Sequence, residues 1–374
     1  MFVKFITFEN MKIREITDFL EEIAPLHYQE SYDNSGLIIG DLDNKVNDVL
    51  ITLDCTEEVI DEAISKNCNL IISHHPIIFT PLKKINGKSY VERVIIKAIR
   101  NDISIYAIHT NLDNVYNGVN SKIAEKLGLK NCKILRPHSK LIKQLVVYCP
   151  SSYSESLKQS LLECGAGEFR NYDNCSFSVV GKGTFRPKEG SNPFFGNIGK
   201  TETVPEERLE FFYNVKDENV LLECLFRNHP YEQVAYQIYS LDNICSEIGS
   251  GMIGEVEDEI ECDKFLALIK KKMKTDCIRH TTLNSNKIKR VAVCGGSGSF
   301  LLEEAKKKNA DIFISSDFKY HEFFDADGKI IIADIGHFES EQFTKELIYE
   351  MLSKKFTKFA VQLSKVNTNP INYL

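Results

Sequence analysis

Leu70-Ile71-Ile72-Ser73-His74-His75-Pro76-Ile77-Ile78-Phe79 is an apolar run that stops at two adjacent histidines, and the proline after them forbids simple continuation. Such a run bounded by a breaker predicts a buried strand, Leu70–Ser73, with both imidazoles at its carboxyl end. In open α/β sheets that edge is where ligands bind. Adjacent strand residues point to opposite faces, so both histidines serve one site only if the chain turns there.

Working outward, Val49–Leu53 reads as the preceding strand, and Thr56–Asn67 as a helix with Thr56 as N-cap and acidic residues in its first turns. Upstream, Ile13–Ile23 has helical spacing, and Tyr32-Asp33-Asn34-Ser35-Gly36 is turn chemistry before Leu37-Ile38-Ile39. Downstream, Val91–Arg100 predicts a helix, Ile103–Ile108 a strand, and Asn117–Leu127 a helix closed by Gly128. Alternating strands and helices imply a parallel sheet covered on both faces.

The rhythm returns near the other end. At an offset of 242 positions Val49–Ser73 lies on Val291–Ser315 without a gap, and Val49/Val291, Glu62/Glu304, Ala63/Ala305, Lys66/Lys308, Asn67/Asn309, Ile72/Ile314 and Ser73/Ser315 are identical. His74 and His75 then fall opposite Ser316 and Asp317. After each comes a helix-forming stretch and another strand, Ile103–Ile108 or Ile330–Ala333, ending in His109…Asp113 or His337…Glu341. The pattern reads as an internal duplication.

Between the halves the texture changes. Leu141–Cys149, Ser151–Cys164, Phe177–Phe185, Thr203–Tyr213, Val220–Arg227 and Val234–Leu241 follow the order β-α-β-β-α-β, that of a ferredoxin-like module. The Gly/Pro-rich stretch Gly181–Gly199 reads as a surface turn or as a contact arm for an oligomer or regulator. The expected architecture is α/β: a first lobe at 1–138, an inserted ferredoxin-like α+β domain at 139–250, and a second lobe at 251–374, the two related lobes carrying parallel-type sheets.

The 374 residues suffice for two or three cores, and a net charge of −7 argues against a basic nucleic-acid groove. Eleven cysteines include no Cys-x-x-Cys pair, and several sit in apolar runs, so free thiols and a cytoplasmic location are expected. The first ten residues are apolar but short, carry Lys4 and Glu9, and lack a small-residue cleavage site. No apolar run approaches the ~20 residues of a membrane span.

Five of nine histidines, His74, His75, His109, His321 and His337, sit at or just beyond predicted strand ends, with Asp113, Asp317 and Glu341 nearby. His337 and Glu341 are spaced i, i+4 and share one face of a helix predicted over Phe338–Leu352; an exposed helical pair has the same spacing. Asp113 reads equally as a turn former. Together, three imidazoles and two carboxylates are a set that zinc, iron or manganese accepts. A single zinc needs three protein ligands and a water, whereas five ligands including a carboxylate able to bridge suit two ions and hydrolytic chemistry. Asp317 and His321 are candidates for general base, proton shuttle or orienting group; their plain alternatives are a helix N-terminal acid and a surface histidine. Cys294-Gly295-Gly296-Ser297-Gly298-Ser299 reads as a weak anion cradle or a tight strand-to-helix turn.

Ser73-His74-His75-Pro76, Thr110-Asn111-Leu112-Asp113, Ser316-Asp317 with His321, Gly336-His337 with Glu341, and Tyr32-Asp33-Asn34-Ser35-Gly36-Leu37 resemble the GTP cyclohydrolase 1 type 2 homolog family (Nif-three-like proteins) from about Met11 onward. The middle segment, with Gly183-Thr184-Phe185 and His229-Pro230-Tyr231-Glu232, resembles that family's optional inserted domain, similar to CutA and PII proteins. The resemblance implies His74, His75, Asp113, His337 and Glu341 as ligands of two divalent metal ions, Glu341 bridging, in a homohexamer built as a trimer of dimers. Tyr32 stands where the family often has tryptophan, and Ser316 where it often has glycine. The implied function is a metal-dependent hydrolase acting on a nucleotide or phosphorylated small molecule, with Asp317 or His321 moving the proton. The alternative is a non-catalytic metal-binding regulator whose inserted domain senses a ligand or binds a partner protein.

Overall fold

The structure is a computed structural model describing residues 11–169, 171–283, 287–357 and 360–374. The first ten residues, read above for an export signal, lie outside them. The chain divides into two compact units: one formed by the residues up to Pro137 and from Ser246 onward, the other His138–Cys245.

The first unit opens with α1 (Ile13–Ile23), β1 (Gly36–Ile39), β2 (Val49–Thr52), α2 (Glu57–Ser65), β3 (Leu70–Ser73), α3 (Tyr90–Arg100) and β4 (Ser104–Ala107). Next come α4 (Thr110–Asp113), α5 (Val119–Leu127) and β5 (Lys130–Ser139), which reaches into the second unit. That unit holds β6 (Ile142–Pro150), α6 (Ser154–Glu163), β7 (Ser176–Phe185), β8 (Glu202–Asn214), α7 (Glu218–Asn228) and β9 (Tyr236–Ser240). The return is β10 (Ile244–Glu261), α8 (Cys262–Met273), β11 (Arg279–His280), β12 (Lys287–Ser297), α9 (Leu302–Lys307) and β13 (Ile312–Ser316). Last are β14 (Ile331–Asp334), α10 (His337–Glu341), α11 (Thr344–Lys355) and β15 (Val361–Leu363).

Two sheets carry the first unit, in the orders β1-β4-β3-β2-β15 and β11-β14-β13-β12-β10-β5. Every residue of β2, β3 and β4 is buried, as near-continuous apolar runs in a doubly covered parallel sheet require. The repeat seen in sequence is a repeat of pairing. Val49 faces Leu70 in β2/β3 as Val291 faces Ile312 in β12/β13, both parallel. The third strands follow suit, Leu70 facing Ser104 and Ile312 facing Ile331. Asn67 and Asn309 both take a left-handed conformation, with φ of 56° and 53°, just past the intervening helices. There Cys68 N donates to Ala63 O and Ala310 N to Ala305 O, at 2.9 and 3.0 Å.

The halves are stitched by α5 and α11, where Lys122 pairs with Glu350 at 2.8 Å and Lys126 with Glu346 at 2.5 Å. The last strand, β15, adds to the first sheet beside β2, so the chain crosses back after completing the second half. The helix predicted over Phe338–Leu352 is two: α10 ends at Glu341, and α11 starts at Thr344. The break falls at Gln342 and Phe343, where the buried Phe343 ring sits under the Lys126 and Lys274 ammonium groups.

In the second unit four antiparallel strands lie in the order β7-β8-β6-β9. Leu145, Val147, Leu209 and Phe211 from the sheet pack with Leu157, Leu161, Leu221 and Leu225 from α6 and α7 in a core of their own.

Candidate metal centre

The carboxyl ends of β3 and β4 meet α10. The backbone bends at His74 and His75, and Ser73 Oγ donates to His75 O at 2.8 Å, which brings both rings to one side with centroids 4.9 Å apart. Each imidazole is clamped through Nδ1. His74 donates to Ile108 O at 2.8 Å, His75 to Asp54 Oδ1 at 2.7 Å, and His337 to Asp317 Oδ2 at 2.6 Å. A ring held by Nδ1 turns Nε2 the other way, and here the three Nε2 atoms converge on Glu341. His75 Nε2 and His337 Nε2 lie 3.0 and 3.1 Å from Glu341 Oε2, while His74 Nε2 lies 3.8 Å from Oε1 and 3.7 Å from Asp113 Oδ1. Glu341 therefore faces two ligand groups, His75 with His337 and His74 with Asp113, whose donor atoms lie within 4.8 Å of one another in each trio.

Two buried atoms test whether this set fits a metal. His74 Nε2 and Asp113 Oδ1 are enclosed and have no hydrogen-bond partner. Leaving such atoms unpaired is costly, so their convergence fits a cation held between them.

Local backbone makes room for Glu341. At Gly296, with φ of 60°, a Cβ would come within 2.4 Å of Glu341 Oε1, and at Gly295 within 3.3 Å of its Cγ. Gly296 N donates to Ser340 Oγ at 2.9 Å. The glycines at the end of β12 thus let α10 approach closely. Asp317, with φ of 59°, holds a conformation L-residues rarely adopt at the end of β13, and from there it clamps His337. Ser316 is buried and donates Oγ to Gly296 O at 2.6 Å.

The charges are strongly coupled. The charge of Glu341 raises the His337 imidazolium to about 11, against the opposing effect of burial. Burial likewise opposes charging His75, but the hydrogen bonds it donates to Asp54 and Glu341 outweigh it and raise it to about 10. Burial also works against an ionised Glu341, yet His337 and the other imidazoles hold it well below the carboxylate range. Asp113 is pushed up to about 8, first by burial and then by Glu341. Without an ion, protons on the imidazoles balance Glu341; a cation must displace them.

The cluster opens on a cavity of about 480 Å³ with Tyr32, Phe79, Phe300 and Phe338 in its walls. Among the described residues lining it, none is Lys or Arg. All five predicted ligands come together, and Asp317 joins them through His337. His321 does not: it is exposed, its ring beside Tyr320 and Phe324, and it does not line the cavity. Residues that sequence reasoning left without a role include Asp54, His109 and Asp33. Asp33, in the turn motif before β1, accepts from His109 Nδ1 at 2.8 Å and from Thr110 N at 3.0 Å. Asp54 follows β2 as His75 follows β3, and that position was the available signal.

The sequence profile of Duf34/NIF3 (NGG1p interacting factor 3) matches residues 11–370. A Bacillus subtilis protein called GTP cyclohydrolase 1 type 2 homolog is 36% identical over 367 residues, covering 96% of this chain and 98% of that protein. A Staphylococcus epidermidis protein of the same name is 35% identical over 97% of this chain and its own full length. A solved Bacillus cereus structure, described as related to NIF3, superposes with a TM-score of 0.75 at 36% identity, over 98% of this chain and 100% of that one. The chain belongs to the Duf34/NIF3 family.

Proposed function

We propose that this protein is a metal-dependent hydrolase whose His74, His75, Asp113, His337 and Glu341 hold two divalent ions, zinc, iron or manganese. The observation that carries the reading is Glu341: one buried carboxylate whose two oxygens face separate ligand groups, beside two buried donor atoms without partners. Two bound ions supply an acidified water and charge neutralisation at a developing oxyanion. The chain's own part is orientation and exclusion. Asp54, Asp317 and the Ile108 carbonyl fix the imidazoles, and the aromatic walls receive the rest of a substrate. Neither Asp317 nor His321 lines the cavity; Asp317, bonded to His337, is the proposed proton acceptor, while the exposed His321 packs beside Tyr320 and Phe324 and is given no such task. With no Lys or Arg among the described lining residues, a nucleotide or other phosphorylated substrate would meet positive charge mainly at the ions.

The test is an assay of metal-replete full-length protein against nucleotides and phosphorylated small molecules, beside a His75→Ala, Glu341→Ala double variant. Turnover in the intact protein that disappears in the variant is expected; equal turnover in both refutes the reading.

A second reading has an observation of its own. The His138–Cys245 unit, which we read as ferredoxin-like from its β-α-β-β-α-β order and its β7-β8-β6-β9 sheet, encloses a cavity of about 640 Å³ walled by Phe185, Phe194, Phe195 and Tyr231. A metal-binding regulator that senses a ligand there would also fit. On either reading we place the protein in the cytoplasm as a trimer of dimers, which light scattering checks. Eleven free cysteines suit that compartment, and among the described residues no helix is long and apolar enough to cross a membrane.

A further inference from the structure

We infer that Thr368 is a positioning residue for His75, acting through Asp54, and that the segment 364–371 closes the metal centre from a third direction. The inference rests on the reading of His75 as a metal ligand.

The placement follows from topology. β15 runs parallel beside β2, so the two strands finish at the same sheet edge and their following residues emerge side by side. Ser364 N continues the ladder to Ile51 O at 2.8 Å. Glu62 on α2 then fastens the segment, accepting from Ser364 Oγ at 2.6 Å and Lys365 N at 3.0 Å. Thr368 Oγ1 next donates to Asp54 Oδ2 at 2.7 Å, while Asp54 Oδ1 accepts from His75 Nδ1 at 2.7 Å.

Asp54 is the weak point in the support of His75. Its side chain is 34% exposed, against 3% for Glu341, so packing alone does not fix its carboxylate plane. A carboxylate gripped by one oxygen swings about that bond; gripped by both, it holds one orientation and passes it to the ring. Thr368 supplies the second grip. The neighbouring Asn369 donates Nδ2 to Glu339 Oε1 at 3.0 Å, on the short helix between His337 and Glu341. Two consecutive side chains thereby tie the support of a first-half ligand to the helix bearing the second-half ligands, and Asn369, Pro370 and Ile371 line the same cavity. A segment that merely covered the core would need neither of these side-chain bonds.

The experiment is chelator competition for Zn²⁺ and Co²⁺ on full-length wild type, Thr368→Val, Thr368→Ser, Asp54→Asn and the Asp54→Asn, Thr368→Val double variant, with melting of each ion-free protein as the folding check. Asp54→Asn is expected to weaken ion binding by about 10–100-fold. Thr368→Val should weaken it by roughly three- to tenfold and Thr368→Ser should restore it. In the Asp54→Asn background, Thr368→Val should add less than about twofold, because coupled residues are not additive. Should Thr368→Val melt early, Thr368→Ala replaces it in the same cycle. Wild-type affinity in a folded Thr368→Val protein overturns the inference, as does a loss of equal size in both backgrounds. Wild type that binds neither ion removes the metal-centre reading itself, an outcome distinct from either.

Discussion

Asp113 is partly buried and Glu341 almost wholly so, and the surroundings of the two carboxylates drive them apart. Asp113 faces burial and the charge of Glu341 and is raised, whereas Glu341 is lowered because the imidazoles outweigh its own burial. Coordination would let both ionise without repelling one another, which is why the pair reads as unfinished without cations. The geometry depends on Gly296. Gly296→Ala adds a Cβ 2.4 Å from Glu341 Oε1 at a residue with φ of 60°, so Glu341 must retreat. We expect the variant to lose ion binding by at least about tenfold, the penalty typical of a displaced ligand environment. Gly128→Ala is the control: φ is 76° with nothing within 4 Å of the added atom, so about 1–2 kcal/mol of stability should go while ion affinity stays. Metal titration beside denaturant melts checks both. His74, His75, Asp113, His337 and Glu341 were legible in the sequence because each follows an apolar run that reads as a strand. Asp54 was signalled only by its place just past β2, and Thr368 not at all, because a hydrogen bond spanning 314 positions leaves no mark on local pattern.

At the scale of elements, the two halves use one scaffold with exchanged roles. Asp54, just past β2, and Gly296, near the end of β12, occupy matching positions at the 242-residue offset; one clamps His75, and the other clears space for Glu341. His75 and Asp317 match after β3 and β13, so a candidate ligand in one half corresponds to the support of one, His337, in the other. What persists is the helix exit, where Asn67 and Asn309 are both left-handed and both followed by the same backbone closure. Asn67→Gly and Asn309→Gly should each be neutral or stabilising by a few tenths of a kcal/mol, and Asn→Val at either site should cost about 1–2 kcal/mol. Chemical denaturation checks this; opposite signs at the two sites would count against the duplication. The 242-residue offset, the strands and most helices could be read from periodicity, which reports burial. The break between α10 and α11 escaped, since both pieces keep helical spacing and the two residues between them, Gln342 and Phe343, stay in the right-handed helical region.

Across the whole molecule, the candidate centre draws its side chains from both ends of the chain, while His138–Cys245 packs around its own core. An ion that binds only the folded centre stabilises the first unit by mass action, about 2.7 kcal/mol at a hundredfold excess over Kd. Calorimetry should therefore resolve a transition that rises with added Zn²⁺ and falls with chelator, beside one from the 138–245 unit that does not move. In Glu341→Ala neither should respond. The pH dependence has a definite sign. His75 and His337, raised to about 10 and 11 in the ion-free fold, stabilise that fold below their unfolded values near 6.5, and this contribution is lost as pH rises through 10 to 11. Between those limits the ion must displace protons the fold retains, so the Zn²⁺-induced shift should grow from pH 6 to pH 8. A shift that is flat over that interval, or carried by both transitions, would mean that the ion sits somewhere other than on these imidazoles.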